Sequence, residues 1–167
     1  MDRNIVLIGM PASGKSTVGV ILAKTLGVGF VDTDLLIQQR EKRLLQEIID
    51  SDGIECFLDA ERDAVLALDC RNTVIATGGS VVFRSESMRK LRQNGTIVFL
   101  DVSLPTVKQR LNNIKTRGVA AAKDKSIEDI FRERLPYYQK YADIVLKLDD
   151  CSSEDAVGKI ISALKNK

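Results

Sequence analysis

The stretch Gly9-Met-Pro-Ala-Ser-Gly14-Lys15-Ser16, set between a β-branched apolar run and an amphipathic one, constrains this chain more than any other feature. It fits the pattern G-x-x-x-x-G-K-[ST], and its flanks supply the strand–loop–helix setting that turns the pattern into a phosphate site. Gly9 and Gly14 permit backbone angles that turn successive N–H groups inward, and a helix opening at Lys15 adds the positive end of its dipole. The residues expected against a nucleotide are therefore Gly9, Ala12, Ser13, Gly14, Lys15, Ser16 and Thr17. Lys15 can reach the terminal phosphates and the Ser16 hydroxyl can ligate Mg²⁺. A nucleoside triphosphate with Mg²⁺ is the expected ligand.

The rest of the chain repeats the same alternation. Asn4–Ile8, Gly29–Val31, Thr73–Ala76, Thr96–Leu100 and Ile144–Leu148 are short and apolar, and read as strands, three of them buried on both faces. Helical stripes lie between them. Val18, Ile21, Leu22 and Leu26 form one, closed by Gly27; Leu44, Leu45, Ile48 and Ile49 form a second; Phe57, Val65 and Leu68 mark a third. Leu104, Val107, Leu111 and Ile114 follow Ser103, Ser126 to Asp129 resembles a capping box, and a last helix carries Val157, Ile160, Ile161 and Leu164. Strands separated by helices imply βαβ crossovers, hence an α/β fold with a doubly wound parallel sheet between two helical layers. The 167 residues suit a single domain spanning 1–167. Ligands of such sheets bind beyond the C-terminal strand ends.

The chemistry-bearing residues cluster in those loops. Asp32 and Asp34 close the second strand: either they cap the helix that follows, or one holds the metal through water while the other takes a hydroxyl proton. Thr77-Gly78-Gly79-Ser80 follows the third strand, either as a simple turn or as backbone close enough to bond a ligand's hydroxyls. The small and basic stretch from Lys115 to Lys125 is an ordinary connection or a lid, about 112–125, that carries Arg117 over the phosphates. Arg132 and Arg134 precede Pro136; one faces the substrate, or both make surface ion pairs.

Composition removes several classes of function. The chain has no histidine, which excludes Ser-His-Asp hydrolysis and imidazole-bound zinc. Its 25 basic and 23 acidic side chains leave a charge of +2, which argues against a nucleic-acid partner. Cys56, Cys70 and Cys151 are widely spaced and form no C-x-x-C pair, as expected of thiols in a reducing cytoplasm. The apolar run ending at Met10 is too short for a signal peptide or a membrane span. A cytoplasmic monomer without membrane or nucleic-acid partners is expected.

Taken in order, these pieces resemble the shikimate kinase family over nearly the whole chain. The likeness is carried by the phosphate loop with Asp32-x-Asp34, Gly53-x-x-x-Phe57-x-x-x-Glu61, Thr77-Gly-Gly, Arg117 and Arg134-Leu-Pro-Tyr-Tyr138. The resemblance implies a nucleoside monophosphate kinase-like P-loop fold with a five-stranded parallel sheet in the order 2-3-1-4-5. It implies ATP- and Mg²⁺-dependent phosphorylation of the 3-hydroxyl of shikimate, on the way to chorismate and aromatic amino acids. By the same resemblance Lys15 stabilises the transferring phosphoryl, Ser16 binds the metal and Asp32 lies in its outer sphere. Asp34 holds the acceptor hydroxyl and acts as its base, Gly78 and Gly79 touch the substrate, and Arg134 holds its carboxylate. Arg117 comes from the lid, Arg110 lies near the adenine, and about 33–61 forms the substrate-binding region.

Three positions depart from the family's pattern. Leu58 stands where an arginine usually grips the shikimate carboxylate, Ser80 replaces the third glycine of a Gly-Gly-Gly run, and Gly118 replaces the proline after the lid arginine. Losing one partner of a desolvated ion pair costs about 2–5 kcal/mol. Arg62 lies four residues after Leu58 on the same expected helix and is the candidate to substitute for it. The alternatives are a relative that phosphorylates a different hydroxylated metabolite, a nucleotide-dependent binding module, and a nucleoside monophosphate kinase.

Overall fold

The β-branched run at the start of the chain forms β1 (Asn4–Ile8), all five residues of which are buried. The structure is a computed structural model and describes residues 3–112 and 125–166. After β1 come α1 (Lys15–Leu26), β2 (Gly29–Asp32), α2 (Thr33–Glu41), α3 (Leu45–Asp52), α4 (Ile54–Leu66) and β3 (Thr73–Ala76). A 3₁₀ turn (Val81–Phe83) then leads to α5 (Ser85–Asn94), β4 (Gly95–Asp101), α6 (Leu104–Asn112), α7 (Ile127–Tyr141), β5 (Ile144–Lys147) and α8 (Ser153–Lys165). The strands form one sheet in the order β2-β3-β1-β4-β5, and every pairing is parallel. β1, β3 and β4 are buried almost throughout and sit at the centre, where helices cover both faces. The edge strands β2 and β5 are partly exposed.

Two cores result. The larger joins the sheet to its flanking helices and includes Leu7, Ile8, Leu22, Ile97, Phe99 and Ile160. A smaller one, made of Ile37, Ile48, Ile49, Phe57, Leu58 and Ala64, holds α2, α3 and α4 together beside the ends of β2 and β3. Burying each of the Leu, Ile and Phe side chains among these stabilises the fold by about 1.5–3 kcal/mol.

The helix signals translate with instructive exceptions. Gly27 ends α1 in the left-handed conformation (φ 67°), and the Ser126 box caps α7 with the hydroxyl accepting from the Asp129 N–H. Leu44 stays extended as the N-cap of α3, so that helix starts one residue later than its stripe. Gly53, at φ 87° and ψ 168°, ends α3 and starts α4, a backbone region essentially confined to glycine. α5 buries only Ser87, Met88 and Leu91 among polar neighbours, too weak a stripe to announce a helix. No helix among the described residues is long and apolar enough to cross a membrane.

Candidate active site

The phosphate loop leaves the end of β1 and turns tightly, with the Ser13 N–H donating to the Met10 carbonyl at 3.1 Å. Gly9 has φ 148°, and a Cβ there would lie 2.8 Å from the Leu100 carbonyl oxygen of β4, so only glycine lets the loop pass. Lys15 is buried, and its Nζ donates to the Gly9 and Met10 carbonyls at 2.8 Å each and to Ser13 Oγ at 3.4 Å. α1 has no acidic residue in its first turn. The positive end of its dipole is thus open to an anion.

A cavity of about 480 Å³ opens beside the loop and brings the expected residues together. One wall carries Gly14, Lys15 and Ser16; the other carries Asp32, Asp34, Gly78, Gly79 and Arg134, which come from the ends of β2 and β3 and from α7. Asp32 Oδ1 caps α2 by accepting from the Asp34 N–H at 3.0 Å, and both carboxylates also line the cavity. Ser16 and Asp32 present oxygen donors to the same space, the donor type that a hard divalent cation prefers.

The Gly78–Gly79 turn is closely packed. A Cβ on Gly78 would collide with Glu61 Oε1 and lie 2.9 Å from Asp34 Oδ1; one on Gly79 would lie 2.8 Å from Arg134 Nη1 and 3.1 Å from Pro11 Cδ. These glycines therefore let an acid pair and an arginine approach the backbone. Arg134 is 2% exposed, its guanidinium carbon 5.5 Å from the centre of the Phe83 ring, whereas Arg132 is exposed. That settles which of the two arginines faces the cavity. Glu61 is fully buried, its Oε2 accepting from Ser80 Oγ at 2.8 Å. Desolvation first, and the neighbouring Asp34 charge second, push its carboxyl up to about 8.

Three supports were given no role by the sequence reasoning, although Phe57 and Tyr138 stand in the motifs that carry the resemblance. Thr33 Oγ1 accepts from the Gly78 N–H at 3.2 Å and ties the two strand ends together. Tyr138 Oη donates to the Gly79 carbonyl at 2.6 Å while its ring stacks on Phe99 of β4 at 5.1 Å. Burial pushes that phenol's pKa well up. Phe57 contributes an apolar wall. Each contact joins residues far apart in sequence, so no local pattern announces it.

On the opposite side of the loop lies a second cavity of about 660 Å³, lined by Ala12, Ser13, Gly14, Thr17, Arg110 and the turn around Cys151 to Ser153. Arg110 braces the loop, with Nη1 donating to the Ala12 and Ser13 carbonyls at 3.2 and 3.4 Å.

One expectation is corrected. Arg62 does not reach the cavity: it pairs with Asp59 and Asp63, each at 2.9 Å, on the outer side of α4. The reason is helical phase. Phe57 lines the cavity and Glu61 lies against Gly78, whereas Leu58, on the same stripe as Arg62, packs into the smaller core. Arg117, Gly118 and, of the expected lid at about 112–125, residues 113–124 lie outside the described residues.

The family model for shikimate kinase matches residues 11–165. A shikimate kinase of Persephonella marina is 36% identical over 164 residues, covering 98% of this chain and 99% of the relative. Among solved structures, a shikimate kinase of Acinetobacter baumannii in complex with shikimate superposes with a TM-score of 0.91 at 27% identity, over 100% of this chain and 96% of the other. The shikimate kinase of Aquifex aeolicus does so with a TM-score of 0.81 at 32% identity, over 97% and 96%. With sequence and architecture agreeing from end to end, the chain belongs to the shikimate kinase family.

Proposed function

We propose that this chain, acting as a monomer of one domain, transfers the terminal phosphoryl group of ATP to the 3-hydroxyl of shikimate. The observation that carries the reading is the single cavity in which Lys15 and Ser16 face Asp34, Gly78, Gly79 and Arg134. The shikimate-bound relative of the same fold supports this acceptor.

Each residue then has a task. The loop from Gly9 to Thr17 receives the phosphates on backbone N–H groups and the α1 dipole, with the base beyond Arg110 in the second cavity. Lys15 exchanges its carbonyl partners for phosphate oxygens and stabilises the charge that develops on the transferred group. Ser16 directly, and Asp32 through water, would hold Mg²⁺, a cation that when bound neutralises phosphate charge. Arg134 pairs with the acceptor carboxylate, and the Gly78–Gly79 backbone bonds its hydroxyls. Asp34 orients the reacting hydroxyl. As its oxygen bonds to phosphorus and the bond to ADP breaks, the proton passes to the Asp34 carboxylate and then to water.

The test is ADP release with MgATP while shikimate is titrated. Saturable turnover is expected, with Asp34→Asn lowering kcat by about 10²- to 10⁴-fold. ATP binding without any response to shikimate overturns the reading and points to another hydroxylated acceptor.

A further inference from the structure

Glu61 and Ser80 form a device that the proposed mechanism leaves unused. Each is 1% exposed, and Ser80 Oγ donates to Glu61 Oε2 at 2.8 Å. The other oxygen, Oε1, has no hydrogen-bond partner among the described residues and lies against Gly78, where Asp34 Oδ1 also converges. A carboxylate there would keep one oxygen dry and unbonded beside a second negative charge.

The charged surroundings are few. Asp34 faces Glu61 from α2, Lys15 from α1 and Arg134 from α7, with the Tyr138 phenol further along α7. α3 presents Ile48 and Ile49 to α4. Arg84, before α5, bonds Glu55 and Asp59, while Arg62 pairs with Asp59 and Asp63. Leu58, nearly one turn before Glu61, is apolar and buried.

We infer that Glu61 serves the acceptor site as a neutral carboxylic acid, its proton on Oε1 and its Oε2 anchored by Ser80, and that this neutrality lets the cleft favour an anionic acceptor. With Glu61 neutral, Lys15 and Arg134 balance the two cavity carboxylates Asp32 and Asp34; with Glu61 ionised, negative charge is in excess and opposes an anionic acceptor. Burial and Asp34 hold the carboxyl at about 8, so the proton is present at neutral pH and leaves in mild alkali. Glu61 is thus a positioning residue that acts through the field at the Arg134 site. Linkage works in both directions: an acceptor carboxylate at Arg134 tightens the proton on Glu61 by the factor that the proton tightens the acceptor. The inference rests on the reading of this cleft as the shikimate site.

The experiment is the shikimate KM from pH 6.5 to 9.5 for wild type, Glu61→Gln and Ser80→Ala, with an infrared spectrum of protonated carboxyl groups at pH 7. The wild-type KM should rise above about pH 8, approaching about tenfold per pH unit. Glu61→Gln should show no such rise between its own values at pH 7 and 9.5. Ser80→Ala should move the break to higher pH, because the lost hydroxyl favoured the charged form. A flat wild-type profile, or one that Glu61→Gln reproduces, overturns the inference. If wild type lacks shikimate-dependent turnover at every pH, the proposed activity fails while the infrared band still decides on Glu61. A carboxyl band in wild type that Glu61→Gln loses supports the neutral acid, and its absence from wild type overturns it.

Discussion

Arg134 is confined before any ligand arrives: its guanidinium carbon lies 5.5 Å from the Phe83 ring centre, and Nη1 abuts the Gly79 backbone. Removing it takes away the cation that meets the acceptor carboxylate, while removing Arg62 breaks only half-exposed pairs with Asp59 and Asp63. Arg134→Ala should raise the shikimate KM by roughly 30- to 4000-fold, the equivalent of about 2–5 kcal/mol. Arg62→Ala should leave that KM unchanged; a comparable rise would restore Arg62 to the site. The phosphate loop, the Asp pair and the two glycines were legible because each is a short pattern at a strand end. The choice of Arg134 over Arg132 came from the family motif and not from local pattern, since both lie on α7 and only tertiary packing decides which one turns inward. Tyr138 could be quoted from the family motif, but its bond to Gly79 spans 59 residues of sequence and leaves no local trace.

The substrate-side wall is a property of three short helices rather than of single side chains. α2, α3 and α4 share one small core, and Gly53 sets the angle at which α3 gives way to α4. A Cβ at Gly53 meets nothing within 4 Å, so Gly53→Ala adds backbone strain without a clash. It should destabilise the protein by about 1–3 kcal/mol, read as a lower denaturant midpoint. An unchanged midpoint would mean that the junction tolerates another conformation. All five strands were foreseen within a residue or two at their ends, because β-branched runs between helical stripes are a strong signal. α5 escaped notice because its buried contribution is small. α7 continues through Pro136 to Tyr141, although the missing N–H there weakens the helix, and its inward residues Ile130, Arg134 and Tyr138 are all buried.

Across the whole molecule, buried charge shapes how stability follows pH. Glu61 binds its proton more tightly folded, at about 8, than its ordinary value of 4.5. Its contribution is therefore fully present below the lower value and is lost as pH rises through the upper one. The helix-capping Asp129 and Asp155 act in the opposite sense: hydrogen bonds from Ser126 and Ser152 hold their pKa values low, so their contribution fades as pH falls. Glu61→Gln should melt progressively higher relative to wild type between about pH 5 and 9; a constant gap in Tm would refute this. Lys15 shows how folding and nucleotide binding divide the work. Its ammonium group already lies against the Gly9 and Met10 carbonyls. Up to about 2 kcal/mol of side-chain rotamer freedom is lost when such a lysine is fixed. In this protein much of that loss belongs to folding, so an arriving phosphate meets a cation already in place and swaps one set of oxygens for another. The ordering cost then weighs on the stability of the empty protein rather than on its affinity for the nucleotide.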